Sequence, residues 1–547
     1  MDVLLVRMRE SGPTVWAALG AVFIAVLLRV LIVPRDSREP PYIDPKVPLI
    51  GHLISLYRDG ARYFTTLDEE YNKGVYTIPI MGARMYVVGS PEWSIAVQKH
   101  WSSVDMYSLT ARALKTLMGL NKASMDIIMH NLYGDKQETS DNVIFVLKDV
   151  MLKALTPGKD LDELNYNLLK NYEPRFNNLA QGGKPQKMMF WAWTRQEISE
   201  ASMASAYGPD NPVAREPTLV ADFWTFDATS ASLMMPFPSI FARKGHLARW
   251  RFINGFVDYA VRGAYKDAAT LIKVRAKESL ARGIAIDQYG QMESNFAPGL
   301  LSNTVPSIFW LISRVFEDPA LLVEIRAEID QCIEEREGNK RALNVAKLQT
   351  QCPLFASVFF ETLRTVSPLN NYRYVREDTV ITNNKTNESY LLKKGNLVQL
   401  ASTVLHARPS VWGKDADSFN SRRFLPVVNR ARAGPGMDGK PIDPATPFRD
   451  ANGKMHSGSF RPFGGGIHLC PGRFFAQTGV QSAAALFITG FEIESEPGKY
   501  VPPPFRNAKG FMFLSVIKPE RDVEVMLKRR EGFENTEWEF NLSDSSN

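Results

Sequence analysis

The segment that most constrains this chain is 461–476, which reads RPFGGGIHLCPGRFFA. Its three consecutive glycines, Gly464 to Gly466, permit positive φ angles and let the backbone approach a flat ligand closely. Cys470 is followed by Pro471, and an apolar helical pattern runs from there to about Ile488. Because proline is favoured at the first position of a helix, the sequence predicts Cys470 at a helix amino terminus. The helix dipole there favours an anion and lowers the pKa of a thiol.

Two interpretations of Cys470 follow from its surroundings. A thiolate in an apolar, glycine-lined turn meets the requirements of an iron ligand. The alternative is a buried, inert cysteine, since free cysteine often behaves as a small hydrophobic residue. The only other cysteines are Cys332 and Cys352, so a disulfide framework is not expected and a reducing compartment is the default.

The order Phe463-x-x-Gly466-x-His468-x-Cys470-x-Gly472 resembles the haem-binding motif of the cytochrome P450 family. By that resemblance, Cys470 is the axial ligand of the iron of haem b, Phe463 packs near the sulfur, and His468 contacts a haem propionate. The family's usual tryptophan–arginine propionate motif is missing from the amino-terminal part of the chain, so Arg373 or Arg376 is expected to replace it. The cofactor-binding residues predicted in this way are Phe463, Gly464, Gly466, His468, Cys470, Gly472 and Arg373.

A second motif has a predicted structural role. Glu361 and Arg364 are three positions apart in the apolar helical stretch 354–366, so they share one helix face. Taken alone, the pair is equally well explained as an exposed ion pair worth a few tenths of a kcal/mol. In the family that the chain resembles, such a pair meets a later arginine, and Arg423, followed by Phe424, matches it. The three charged residues are therefore predicted to hold the scaffold on the haem side.

One helix departs from the family pattern. The oxygen-activating helix of the family normally carries an acid–threonine pair, which Val305 and Pro306 replace here. Because proline has no N–H, the carbonyl of Ser302 loses its helical partner and the helix must kink. The freed carbonyl beside the Asn303 amide would hold a water or dioxygen, so Asn303 and Thr304 are the predicted catalytic residues. The alternative is that the proline merely bends a packed helix.

The predicted fold is mainly α with a small β-rich part, the cytochrome P450 fold that the resemblance implies, preceded by a transmembrane helix. Residues 14–33 are apolar apart from Arg29, and as a helix they would be about 30 Å long, which matches a bilayer core. A cleaved signal or a buried core helix are the alternatives. We predict a short amino-terminal segment at 1–13, an anchor at 14–33, a proline-rich linker at 34–52 and a catalytic domain at 53–547.

Together these features predict a haem-thiolate monooxygenase that inserts one oxygen atom of dioxygen into a lipophilic substrate. A sterol, terpenoid, alkaloid or polyketide-like compound of fungal secondary metabolism is expected. The resemblance implies electrons from NADPH through NADPH–cytochrome P450 reductase. Arg422, Lys454, Arg461 and Arg473 form a candidate docking face for the reductase, and the alternative is that they are scattered, solvated charges. Two alternatives remain: a haem-thiolate isomerase or dehydratase that needs neither dioxygen nor NADPH, and a non-enzymatic haem-binding membrane protein.

The expected location is the endoplasmic reticulum membrane. The lysine and arginine bias around residues 14–33 favours a single-pass chain whose catalytic domain faces the cytosol. The net charge of +6 suits a membrane surface or an acidic partner. It does not indicate nucleic-acid binding, which requires a concentrated basic stripe.

Overall fold

The computed structural model describes residues 34–47, 52–80, 82–133, 141–235, 237–367, 370–432, 441–505 and 516–542. The predicted anchor at 14–33 lies outside these residues. Among the described helices, none is both long and apolar enough to cross a bilayer. The chain divides into two compact units: the first holds Met1–Asp105, Tyr372–Ala401 and Lys509–Phe511, and the second holds Met106–Asn371, Ser402–Ala508 and Met512–Asn547. The prediction of one catalytic domain at 53–547 stays a prediction.

The first unit is built on a five-stranded sheet. Val75–Ile80 and Ala83–Val88 pair antiparallel, and Leu397–Ala401 joins the second of them in parallel. Both faces of this sheet are largely buried, because Val, Ile and Tyr side chains alternate between the two faces. The helix Pro91–Lys99 packs against one face. The remaining elements of this unit are the helices Leu53–Asp59 and Arg62–Tyr71 and the strands Val104–Asp105, Asn370–Val375, Thr379–Thr382 and Ser389–Leu392.

The predicted proline-rich linker is bound to this sheet where the structure describes it. The N–H of Ile43 donates to the carbonyl of Thr77 (2.9 Å), and the N–H of Thr77 donates to the carbonyl of Pro41 (2.8 Å). Prolines lack an N–H, so the segment offers mostly carbonyls and forms only an isolated bridge with the strand. Buried Glu39 adds an ion pair to Arg84 at 2.9 Å.

The second unit is mainly helical with small sheets, as the sequence predicts. Its helices are Tyr107–Thr116, Lys122–Met129, Val143–Leu155, Lys159–Asn177, Phe190–Tyr207, Pro212–Arg215, Thr218–Leu233, Pro238–Phe241, Arg243–Val261, Thr270–Ala281, Ile286–Glu293, Ala297–Leu301, Thr304–Phe316, Pro319–Asp330, Val345–Gln351, Pro353–Val366, Ser402–Ala407, Pro409–Trp412, Leu425–Arg432 and Arg473–Gly490. Its 3-10 turns are Gln181–Gly183, Ala264–Asp267 and Gly466–His468. Its strands are Gln186–Met189, Ile333–Glu335, Lys340–Asn344, Phe448–Arg449, Met455–His456, Phe491–Glu494, Glu524–Arg529 and Glu537–Asn541.

The helix Arg473–Gly490, called the cysteine helix below, is largely buried in this unit. Nearly every residue from Phe475 onward is buried, because its side chains are small or apolar on all faces and suit a helix enclosed by others. Phe487 packs on Phe190, with ring centroids 5.3 Å apart. At the carboxyl end, a Cβ on Gly490 would lie only 3.0 Å from the ring of Trp538, so glycine lets the carboxyl-terminal strand close over the helix end.

Three buried charged residues, called the ionic core below, join separate parts of the second unit. Arg364 donates from Nε and Nη2 to the two carboxylate oxygens of Glu361, at 2.8 and 2.7 Å. Arg423 donates from Nε to the same carboxylate at 3.1 Å. The side chain of Glu361 is 0% exposed, so these are fully enclosed charges and not the surface pair that the motif alone also allowed. Arg364 also donates to the carbonyls of His406 and Ala416, at 2.6 and 2.8 Å.

Removal of the central carboxylate of the ionic core should strongly lower the stability of the protein. Glu361→Gln leaves two buried guanidinium groups without their shared anion, and we expect a loss of about 3–5 kcal/mol in the free energy of unfolding, measured with urea. The matched control is Glu324→Gln, which removes the partner of Arg422 in an ion pair about half exposed on both sides. That change should cost less than about 1 kcal/mol. Equal losses in the two variants would contradict the role assigned to the ionic core.

Candidate active site

The loop that carries Cys470, residues 461–472 and called the cysteine loop below, is closed by its own backbone. The N–H of Cys470 donates to the carbonyl of Phe463 at 2.9 Å, and the N–H of Gly464 donates to the carbonyl of Arg461 at 3.2 Å. Gly464 has φ +80° and Gly466 has φ +62°, a region that favours glycine. A Cβ on Gly464 would also lie 3.1 Å from a backbone oxygen. The glycines are therefore needed for the turn that presents the cysteine.

The cysteine helix begins two residues later than the sequence predicted. It starts at Arg473 with Gly472 as its N-cap, so Pro471 is not its first residue. The N–H of Cys470 donates to the carbonyl of Phe463, and the carbonyl of Cys470 accepts from Nη1 of Arg473 at 3.3 Å. Because both backbone groups of Cys470 bond in this way, the residue is part of the loop and not of the helix. The thiol therefore lies just before the helix.

The prediction that the helix dipole lowers the pKa of the Cys470 thiol was also wrong for the protein alone. Burial raises the pKa of Cys470, and the opposing effects of the Gly472 N–H and the Arg473 charge are smaller. Desolvation thus outweighs the helix terminus, since an anion in apolar surroundings loses its hydration. A thiolate at this position needs a stronger positive partner, and a coordinated metal ion supplies one because it deprotonates a bound thiol.

His406 connects the ionic core to the cysteine loop. Its Nε2 accepts the N–H of Arg461 at 3.0 Å, and its Nδ1 lies 3.1 Å from the carbonyl of Arg364. Because a carbonyl can only accept, Nδ1 carries the proton and the ring is neutral. Burial lowers the pKa of His406 to about 3, which keeps this tautomer at ordinary pH. The sequence signal was His406-x-x-Pro409, but no role could be assigned to it before the contacts were known.

Three predicted cofactor residues occupy different settings. Phe463 is half-buried and packs against the main hydrophobic core. The ring centroid of His468, also half-buried, is 5.1 Å from that of Tyr107. Arg373 belongs to the first unit, where it is buried and donates to the carbonyl of Tyr372 at 2.8 Å. The propionate contacts of His468 and Arg373 stay predictions.

The helix that carries Pro306 is interrupted before this proline. Ala297–Leu301 and Thr304–Phe316 are separate segments, with Ser302 and Asn303 between them. The break lies one turn before Pro306, where the missing proline N–H removes a helical hydrogen bond. The carbonyl of Asn303 accepts both the N–H (3.2 Å) and the hydroxyl (2.7 Å) of Ser307, so helical hydrogen bonding resumes directly after the break.

The side chain of Asn303 has a structural contact that the sequence did not reveal. Its Oδ1 accepts the N–H of Val516 at 3.0 Å, which ties the helix break to the carboxyl-terminal part of the chain. Trp310 reinforces this tie, since its indole N–H donates to the carbonyl of Ile517 at 2.7 Å. Thr304 is buried directly after the break. The catalytic roles of Asn303 and Thr304 stay predictions.

The residues around Cys470 suit an iron porphyrin. Phe463, Ile467 and Leu469 are all half-buried, so the loop presents an apolar surface around a single sulfur atom. A thiol is a soft ligand of the kind that haem iron accepts. Because Gly464 has no side chain, the backbone beside the sulfur atom leaves room for the close approach of a flat ring.

Comparison with known proteins points the same way. The family model described as Cytochrome P450 matches residues 301–521, a range that contains the ionic core, His406 and the cysteine loop. A cytochrome P450 monooxygenase of Gibberella zeae is 29% identical over 97% of this chain and 96% of its own length. Cytochrome P450 monooxygenase nodJ of Hypoxylon pulicicidum is 26% identical over 93% of each chain. Cytochrome P450 7B1 of Mus musculus is 23% identical over 95% of this chain and 97% of its own.

The fold agrees with solved structures. The cyanobacterial CYP120A1, solved with retinoic acid bound, superposes with a TM-score of 0.65 at 16% identity and covers 91% of this chain and 100% of its own. The mainly helical architecture is therefore the cytochrome P450 fold, and the family implies a haem with a thiolate ligand. In motif order, in fold and over nearly its full length, this chain is therefore similar to the cytochrome P450 monooxygenases.

Proposed function

We propose that this enzyme binds haem b through the thiolate of Cys470 and oxidises a lipophilic small molecule with dioxygen and electrons from NADPH. The observation that carries the proposal is the cysteine loop, whose glycines and internal hydrogen bonds present one sulfur atom from an apolar surface. Haem bound there supplies the activation of dioxygen, which thiolate donation promotes. His468 would bind a propionate, and Asn303 and Thr304 would border the reacting oxygen.

The proposed substrate is a sterol, terpenoid, alkaloid or polyketide-like compound of fungal secondary metabolism. Support comes from the named fungal monooxygenases that match nearly the whole chain.

A second candidate has a specific observation in its favour. Val305 and Pro306 leave the usual positions of the acid and the alcohol without a proton-carrying side chain. A haem-thiolate isomerase or dehydratase would need neither dioxygen nor NADPH, so it would not depend on that pair. Incubation of the enzyme with candidate substrates under nitrogen and without NADPH distinguishes the two, because only the isomerase or dehydratase would form product.

Replacement of the sulfur tests the cofactor assignment. For the reduced protein with carbon monoxide, we expect the absorption maximum characteristic of thiolate-bound haem. Cys470→Ala should abolish that maximum, because no thiolate remains to bind the iron. Cys352→Ala is the control, since this buried cysteine lies outside the cysteine loop. An unchanged maximum in Cys470→Ala would refute the assignment.

The proposed location is the endoplasmic reticulum membrane, with the catalytic domain facing the cytosol and an NADPH–cytochrome P450 reductase as partner. An exposed apolar patch supports contact with a membrane. Phe237, Ile240 and Phe241 are 67%, 69% and 79% exposed, far more than is usual for such side chains. Arg243 and Lys244, also exposed, follow directly and suit anionic headgroups.

The reductase docking face needs revision. Arg461 is buried, and its side chain donates to the carbonyl of Gly458 at 2.7 Å, so it cannot contact a partner protein. Arg473 and Arg422 are exposed to some degree but are paired with Asp443 and Glu324. Their charges are thus partly neutralised, which weakens their use as an electrostatic docking site.

The membrane proposal predicts where a probe would meet lipid. A thiol-reactive fluorophore on Ile240→Cys should be quenched by brominated acyl chains in vesicles that contain the protein, because this patch would lie among the lipids. The control is the same label on Val323→Cys, which starts with the same 69% exposure on a different helix. Cys332 and Cys352 are buried and should react little with the label. Equal quenching at both positions would contradict the proposed orientation.

A further inference from the structure

A buried polar cluster lies directly at the helix break, and no role has been assigned to it. The hydroxyl of Ser302 donates to Oδ1 of Asp227 at 2.7 Å, and Nζ of Lys518 lies 2.9 Å from Oδ2 of the same carboxylate. The three side chains come from the helix Thr218–Leu233, the break itself and the carboxyl-terminal part of the chain. We call them the aspartate cluster. Ser302 and Lys518 are buried, and the side chain of Asp227 is 14% exposed.

The position of the aspartate cluster is fixed by its neighbours. Ser302 directly precedes Asn303, whose Oδ1 accepts the N–H of Val516, two residues before Lys518. Trp310 and Val366 hold the intervening Ile517, through the indole N–H and the Val366 carbonyl, at 2.7 and 2.9 Å. The carboxylate is therefore held against the irregular turn of the helix and cannot easily rotate away from it.

Monooxygenation needs protons at this helix. The overall reaction consumes one dioxygen, one substrate C–H bond, two electrons and two protons, and it yields one alcohol and one water. Val305 and Pro306 carry no exchangeable side-chain proton, so the positions that the family uses for an acid and an alcohol cannot deliver them. A carboxylate that reaches the helix from another element, and that keeps some exposure to solvent, is suited to this task.

We propose that the Ser302 hydroxyl delivers protons to the reacting oxygen and that Asp227 is the positioning residue that replenishes them. A proton from water reaches the Asp227 carboxylate and passes to the Ser302 oxygen while the hydroxyl proton of Ser302 passes to the reacting oxygen. Each passage moves one proton and restores both groups, and two passages accompany the two electrons. Lys518 fixes the carboxylate by its charge, which keeps Oδ1 directed at Ser302. This inference rests on the proposed supply of electrons from NADPH.

The test uses the purified holoenzyme with an NADPH–cytochrome P450 reductase, and dioxygen as the probe without added substrate. Under these conditions dioxygen leaves either as hydrogen peroxide, with two electrons and two protons, or as two waters, with four of each. Because cleavage of the O–O bond needs the delivered proton, Ser302→Ala should raise the share of NADPH that ends in peroxide at least twofold. Ser302→Thr, which restores the hydroxyl, should return the share to the wild-type value.

A second pair of variants probes the carboxylate. Asp227→Asn should raise the peroxide share as Ser302→Ala does, and Asp227→Glu should restore it in part. The matched control is Asp222→Asn on the same helix, which removes the carboxylate that Arg251 binds at 2.7 Å. Ser313→Ala is the control for the hydroxyl, since Ser313 pairs with Tyr500 further along the proline-containing helix. Neither control should alter the peroxide share.

A spectroscopic readout separates proton delivery from a merely structural role. The infrared stretch of carbon monoxide on the reduced protein senses nearby hydroxyl dipoles, so Ser302→Ala should shift it and Ser313→Ala should not. An unchanged peroxide share and an unchanged stretch in Ser302→Ala, with normal haem content, would overturn the inference. If the wild-type enzyme consumes no dioxygen with NADPH, the proposed electron supply fails instead, and the infrared comparison still tests Ser302.

Discussion

The second unit depends on one buried carboxylate. Glu361 accepts from two arginines and from the N–H of Asn420, and it lies in a region of the core lined by Phe360, Trp412 and Phe424. In such surroundings a charge is tolerated only when its partners satisfy it completely, so the three parts of the chain that bring these partners must assume one relative position. The ionic core therefore acts more through specificity of arrangement than through a large net gain in stability.

His406 connects the ionic core to the cysteine loop by hydrogen bonds, so the arrangement of the ionic core also positions the loop. Arg364 bonds the Glu361 carboxylate with its guanidinium and the Nδ1–H of His406 with its carbonyl, and His406 in turn accepts the N–H of Arg461. Arg461 begins the loop that ends at Cys470. A chain of hydrogen bonds thus connects the Glu361 carboxylate, for which no chemical role is proposed, to the loop that carries the proposed haem ligand. Burial lowers the pKa of His406 to about 3, so the histidine stays neutral and the connection does not change around neutral pH.

The parts of this site whose residues are close together in the chain could be predicted from the sequence. The glycine turn and Cys470 fall within a few positions of one another, and Glu361 with Arg364 share one helical turn, so local geometry was enough to predict their grouping. The resemblance to a family supplied Arg423. What could not be foreseen depends on tertiary contacts: the helix start at Arg473 is set by hydrogen bonds within the cysteine loop, and burial reverses the expected shift in the pKa of the thiol.

The contacts of the helix that carries Pro306 also could not be predicted from the sequence, because they are tertiary contacts. Pro306 predicts a defect, but not that Asn303 would bond to Val516 or that Ser302 would meet a carboxylate from another helix. Pairs so distant in sequence leave no periodic or local signal, so only the folded chain reveals them. They matter because they place hydrogen-bonding groups at the one turn of the helix where backbone hydrogen bonding is irregular.

The central claim is that the sulfur of Cys470 binds the haem iron directly. Iron K-edge X-ray absorption of the purified protein measures the atoms in the first coordination shell without dependence on substrate, electrons or partner. We expect one sulfur atom together with the four pyrrole nitrogens. A first shell made only of nitrogen and oxygen atoms would contradict it.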